Sequence, residues 1–113
     1  MVELVNSIDN IELPMNLLTN ILNNKKFNDN EKRFLIFLIG KTIYNDEYPI
    51  LSKSVISKNI DISERTVFNI ARRLHQKGYL TVETEEFYKY NLNRYIVNFD
   101  KINDEFNEFI KVK

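Results

Sequence analysis

The sequence contains no cysteine, a single histidine, two glycines and two prolines in 113 residues, and its formal net charge is zero. Without cysteine there is no disulfide, no thiolate metal site and no cysteine nucleophile, and His75 cannot build a zinc site alone. No apolar run is long enough to span a bilayer, so no membrane partner is expected. The start Met1-Val2-Glu3-Leu4 lacks the basic residues and apolar stretch of a signal peptide, and we expect a cytoplasmic protein. Zero net charge argues against a chain that coats nucleic acid indiscriminately by bulk electrostatics. A glycine-rich phosphate loop, a metal-ligand cluster and a Ser-His-Asp order are all missing, and Glu85-Glu86 falls on an expected turn rather than in a pocket. We therefore expect no enzyme, with no catalytic residue, no metal and no cofactor.

What is present is enough for one compact core. With 43% hydrophobic and 28% charged residues, the chain suits a single domain rather than two. Its heavy use of Asn, Ile and Lys is what AT-rich codons give, and points to a low-GC bacterium or one of its mobile elements. The charge is unevenly placed. From Leu51 to Leu80, Lys53, Lys58, Arg65, Arg72, Arg73 and Lys77 stand against only Asp61 and Glu64, so this stretch is locally basic while the rest is neutral to acidic.

Residues 1–12 have no clear period and read as an arm or a short first strand. Leu13-Pro14 opens a helix in which Met15, Leu17, Leu18, Ile21 and Leu22 fall at helical spacing, with Pro14 in a tolerated first-turn position and Asn23-Asn24 at its end. Asn28 or Asp29 can cap a second helix, with Glu31 in its first turn, that runs to about Ile43. Its six consecutive apolar residues, Phe34 to Ile39, cover every direction around the axis, which makes it central or gives it a second apolar face. Tyr44 to Pro49 reads as a connector. Ser52 then caps a short helix from Lys53 to Asn59 with Val55 and Ile56 facing inward, and Asp61-Ile62-Ser63 turns the chain.

Ser63 is a natural N-cap for a helix over Arg65–Lys77, where Val67, Ile70, Ala71 and Leu74 form one buried stripe. The opposite face is left to Arg65, Thr66, Phe68, Asn69, Arg72, Arg73 and Gln76. Gly78 ends the helix, with Lys77 well placed at the negative end of its dipole. The period then changes. Tyr79 to Thr84 alternates as a half-buried strand with Leu80 and Val82 on one side, and Arg94 to Phe99 alternates with Tyr95, Val97 and Phe99 on one side. Glu85 to Asn93 would form a protruding hairpin tip. The tail, residues 100–113, places Ile102, Phe106, Phe109 and Ile110 at helical spacing and predicts a final amphipathic helix.

Short helix, three-residue turn, second helix with a polar outer face, then glycine and a β-hairpin is the order of a winged helix-turn-helix. The expected fold class is α+β, mainly helical, with the winged helix-turn-helix over residues 13–99. Asp61-Ile62-Ser63-Glu64-Arg65-Thr66-Val67 followed by Leu74-His75-Gln76-Lys77-Gly78-Tyr79-Leu80 resembles the recognition-helix segment of winged-helix regulators and of phage or plasmid replication initiators. Leu13-Pro14 with Leu17-Leu18, Glu31-Lys32-Arg33-Phe34-Leu35, Lys41-Thr42-Ile43-Tyr44 and Asn93-Arg94-Tyr95-Ile96-Val97-Asn98 look like the N-terminal domain of the phage replication protein O family. Small conjugation accessory proteins of low-GC plasmids use a similar domain.

The resemblance implies DNA contacts at Ser63, Arg65, Thr66, Asn69, Arg72 and Arg73. Ser52 and Lys53 at the start of the preceding helix, Lys77, and Lys89, Asn91 and Arg94 on the hairpin complete the expected contact set, with Tyr90 and Asn93 also near its tip. Glu83, Glu85 and Glu86 would repel phosphate, which confines hairpin contact to the tip.

Each feature also has a plainer reading. Arg65, Arg72 and Arg73 on an isolated helix would be an ordinary solvated face; the turn before and hairpin after favour DNA. His75 is given no role. Phe68, exposed on the helical wheel, packs under the arm or meets a protein. Phe87, Tyr88 and Tyr90 are strand packing more readily than base-stacking platforms. Ile102, Phe106, Phe109 and Ile110 either cover the core or form a homodimer seam, and we favour the seam because a pair of domains reads two half-sites. Double-stranded DNA is the expected partner, at a replication or conjugative transfer origin and with replication or relaxosome proteins nearby. The alternatives are a transcriptional regulator of the same fold and a protein-docking domain without DNA binding.

Overall fold

The computed structural model describes residues 17–87 and 90–104, with the side chains of residues 85–91 outside that description. The elements are α1 (Leu17–Asn23), α2 (Asp29–Asn45), β1 (Ile50–Leu51), α3 (Lys53–Ile60), α4 (Glu64–Gln76), β2 (Leu80–Phe87) and β3 (Tyr90–Val97). A last helix, α5, occupies residues 99–104 of the described chain. The architecture is α+β and mainly helical, with one three-stranded antiparallel sheet in the order β1-β3-β2. The expected arm over residues 1–12, the expected helix start at Leu13-Pro14, and Phe106, Phe109 and Ile110 lie outside the described residues.

The helices begin where side-chain caps satisfy their free amides. Asn28 caps α2: its side-chain oxygen accepts the Glu31 amide at 2.8 Å, and the Glu31 carboxylate accepts the Asn28 amide at 2.9 Å. This reciprocal pair fixes the helix start at Asp29. The helix runs past Ile43 to Asn45 and stops at Asp46, which takes the left-handed conformation at φ 54°. Phe34, Leu35, Leu38 and Ile39 are buried and Ile36 and Phe37 pack against the same core, so α2 is the central helix. Each of the fully buried side chains stabilises the fold by about 1.5–3 kcal/mol relative to exposure.

The shorter helices show where helical spacing alone misleads. In α1, Leu17 and Ile21 are buried and Leu18 and Leu22 are about half exposed. The inward position between them belongs to Asn20, whose amide donates to the Asn103 side chain of α5 at 2.8 Å. In α3, Ile56 and Ile60 are buried at i, i+4, and Val55, expected inside, is 41% exposed because it sits about a quarter turn away from them.

The sheet departs from the expected hairpin in three ways. Pairing continues from Leu80↔Val97 to Phe87↔Tyr90, so most of the segment 85–93 is strand and only residues 88–89 intervene. Cross-strand partners such as Glu83↔Arg94 and Thr84↔Asn93 support this extension, since opposite charges and hydrogen-bonding side chains are favourable across a pair. β1 adds a third strand, Ile50↔Arg94 and Leu51↔Asn93, that two residues could not announce by period. Phe99 is buried as expected but opens α5 instead of closing β3.

Two edge-to-face ring pairs join the layers. Phe34 of α2 meets Tyr95 of β3 with ring centres 5.9 Å apart, and Phe27 meets Tyr79 at 4.9 Å. Ile102, expected at a dimer seam, is fully buried within this chain. α5 therefore contributes that residue to the core, where no second protomer can reach it.

Candidate nucleic-acid interface

The turn between α3 and α4 is built from local hydrogen bonds. Asp61 takes the left-handed conformation at φ 56°, which Asp tolerates. That brings the Ile62 amide to the Ser57 carbonyl at 3.3 Å, while the Ser57 hydroxyl donates to the Ile62 carbonyl. Two residues later Ser63 caps α4, accepting the Thr66 amide at 3.1 Å and hydrogen-bonding the Thr66 hydroxyl at 2.8 Å. α4 buries the whole expected stripe of Val67, Ile70, Ala71 and Leu74.

At its C-terminus the Tyr79 amide reaches the Leu74 carbonyl at 3.0 Å and the Gly78 amide reaches His75 at 3.1 Å. Gly78 sits at φ +84°, a left-handed position that suits glycine, and together these are the two bonds of a Schellman ending. Lys101 of α5 donates to the Lys77 carbonyl and lies 4.8 Å from the Tyr79 ring centre.

With the stripe fixed inward, about 100° per residue places Arg65, Asn69, Arg72 and Gln76 in one row along the outermost face, and all four are exposed. Gln76, absent from the expected contact set, belongs to this row by the same spacing. The row carries two guanidinium and two amide groups, the donor types that hydrogen-bond base edges and phosphates. Thr66 lies on one shoulder of the helix, half-buried against the Ser63 cap. Lys77 follows as the C-terminal cap and is exposed.

Arg73 departs from the expected set. It lies on the Thr66 shoulder, and its Nε is 3.6 Å from the carboxylate of Glu31, a side chain only 4% exposed. That carboxylate caps α2, so Arg73 ties α4 to the start of the central helix. Nothing in its own neighbourhood signals this, because its partner is far along the chain.

On the other shoulder, Lys53 at the start of α3 reaches over the half-exposed Phe68 ring, 5.1 Å from its centre. Phe68 thus packs beneath a cation of this chain; the arm over residues 1–12, expected to cover it, lies outside the described residues. Ser52 is occupied as the N-cap of α3, accepting the Val55 amide at 3.2 Å. His75, given no role from sequence, accepts the Val82 amide on Nδ1 at 3.1 Å and so links α4 to β2.

No family model, curated protein or solved structure matches the chain.

The hairpin contacts divide. Lys89 lies outside the described residues, and Asn91 is placed only by its backbone, opposite Glu86 in β3. Arg94 was expected near the tip but lies in the middle of the central strand, between Ile50 of β1 and Glu83 of β2. Strand alternation puts it on the face away from Tyr95 and α4. Pairing to the end of both strands moved the tip beyond it.

Asn93, on the α4 side, donates to the Tyr95 hydroxyl at 3.3 Å. Burial pushes the Tyr95 phenol above its ordinary value of 10, an effect that the Asn93 hydrogen bond opposes. Among the described residues no group of three His, Asp or Glu side chains could hold a metal ion, and no helix is long and apolar enough to cross a membrane.

Proposed function

We propose that the chain is a winged helix-turn-helix domain that reads double-stranded DNA through α4. The observation that carries this reading is the exposed row Arg65, Asn69, Arg72 and Gln76 on a helix whose other face is anchored in the core. A helix presenting such a row fits the major groove, where Arg pairs with guanine and Asn or Gln with adenine. α3, joined by the short turn, crosses the backbone and brings Ser52 and Lys53 to phosphates, and Lys77 does the same at the far end. The order β1-β3-β2 supports the wing assignment, with the β2–β3 hairpin as the wing. We leave Arg73 and Arg94 out of the proposed contact set, since Arg73 faces the Glu31 carboxylate and Arg94 stands opposite Glu83 in mid-sheet.

We place the protein in the cytoplasm, as a non-enzymatic accessory factor of a plasmid or phage that marks a replication or conjugative transfer origin for larger machinery. The resemblance to the phage replication protein O family supports this role over that of a transcriptional regulator, and the AT-rich residue usage supports only a low-GC host or mobile element as its source.

Selection from a random duplex pool, with a single-stranded pool and a salt titration alongside, tests it. The expected result is a repeated or palindromic duplex motif whose half-site spacing gives the oligomeric state. The two cations placed on phosphates, Lys53 and Lys77, predict that log K falls against log salt with a slope of about −2 for each bound copy. Arg65→Ala and Arg72→Ala should each weaken specific binding about tenfold or more, within the usual 1–3 kcal/mol of a base contact, and leave the fold intact. Enrichment in neither pool would refute DNA reading and favour a docking role, for which Leu18, Leu22, Ile43 and Tyr44 offer exposed apolar surface.

A further inference from the structure

A cleft of about 290 Å³ lies between α4 and the β2–β3 hairpin. Phe68 and Ala71 form its α4 wall, Val82 faces them from β2, and Tyr95 closes the floor. Lys53 and Arg72 line the same space, and among the described residues none of those lining it is acidic. Glu83, next to Val82 in β2, belongs to the opposite face of the sheet by strand alternation. His75 also lines the cleft. Its Nδ1 is committed as the acceptor for Val82, so the neutral ring carries its proton on Nε2 and presents a donor there.

We propose that this cleft binds a small flat aromatic anion. An aromatic ring is the moiety that gains most from lying against the half-exposed Phe68 and Val82, through area burial and offset or edge-on ring contact. The anionic group follows from two cations with no acid among the described lining residues, since Lys53 and Arg72 supply charge-assisted donors at the rim. The volume lies just below the usual range for ligand pockets, which limits the occupant to about one or two fused rings. Both rim cations also belong to the proposed DNA face. On that reading, which this coupling rests on, a bound anion competes with phosphate for Lys53 and Arg72, so ligand and duplex weaken each other by the same factor.

The test is a titration of the full chain with 1-naphthoate, followed by amide chemical shifts and with no DNA present. Saturable shifts are expected at Phe68, His75 and Val82, with a Kd between about 50 µM and 1 mM for a ligand of this size. Uncharged 1-naphthamide should bind about tenfold more weakly or worse, as should naphthoate to the double variant Lys53→Gln, Arg72→Gln. Thr84→Trp, an exposed strand position on the cleft, should fill the mouth and abolish the shifts while circular dichroism shows the fold retained.

Absence of saturable shifts up to about 10 mM, equal binding of the amide, or indifference to the double variant would overturn the proposal. Because the titration contains no duplex, its failure leaves DNA reading standing, and a failure of DNA binding leaves the titration to decide the cleft.

Discussion

Removal of either partner in the Glu31–Arg73 pair separates a structural arginine on α4 from those proposed to contact DNA. Glu31 accepts the Asn28 amide with one oxygen and faces Arg73 Nε at 3.6 Å with the other, while buried. Loss of a hydrogen bond to a charged group costs about 1.5–3 kcal/mol. The Arg73 side chain is 45% exposed, so solvent screening holds the ion pair itself to about 0.2–1 kcal/mol. Glu31→Ala should therefore destabilise by about 2–3 kcal/mol, and Glu31→Gln, which keeps an acceptor for Asn28, by about 1 kcal/mol.

Arg73→Ala should cost about 1 kcal/mol, and a double-mutant cycle with Glu31→Gln should recover a coupling of about 0.5 kcal/mol. For a domain of this size 1 kcal/mol moves Tm by about 4 °C, so thermal unfolding by circular dichroism resolves Glu31→Ala from Glu31→Gln. The same variants go into the duplex assay, where Arg73→Ala should hold affinity within about twofold and Arg72→Ala should not. An Arg73→Ala protein with unchanged Tm and an affinity loss equal to that of Arg72→Ala would refute the assignment of Arg73 to the fold.

Further outcomes concern the elements that hold α4 in place. Gly78→Ala forces a side chain into φ +84° with its Cβ 3.0 Å from the Lys101 ammonium. The flexible lysine can move and the backbone cannot, so a loss of about 1–2 kcal/mol in urea unfolding is expected, and a neutral result would refute a left-handed ending of α4 at this position. Tyr95 ties stability to alkaline pH. Its folded-state value is raised above 10, so the folded chain keeps a proton that the unfolded chain has lost, and stability complete below pH 10 declines as pH rises beyond it. Wild type should therefore lose up to about 1.4 kcal/mol per pH unit more than Tyr95→Phe above pH 10, and parallel curves would show that the phenol is not buried.

What the sequence determined was set by near neighbours. The stripe Val67, Ile70, Ala71 and Leu74, the caps Asn28, Ser52 and Ser63, the glycine ending of α4 and the existence of a hairpin all depend on residues a few positions apart, where periodicity and capping chemistry are local. The outward row of α4 followed from the inward stripe for the same reason. Tertiary structure decided which polar side chains stay free once the elements meet. Arg72 and Arg73 are adjacent and chemically identical, and only the approach of the α2 N-terminus to one shoulder of α4 gives Arg73 a carboxylate to face.

Packing likewise turned Val55 outward, added β1 to the sheet and set Arg94 in its middle, since strand register and helix crossing depend on residues distant in sequence. The cleft between α4 and the hairpin is of this second kind. Phe68 and Lys53 belong to different helices and Val82 to a strand, and only their packing makes one surface of them.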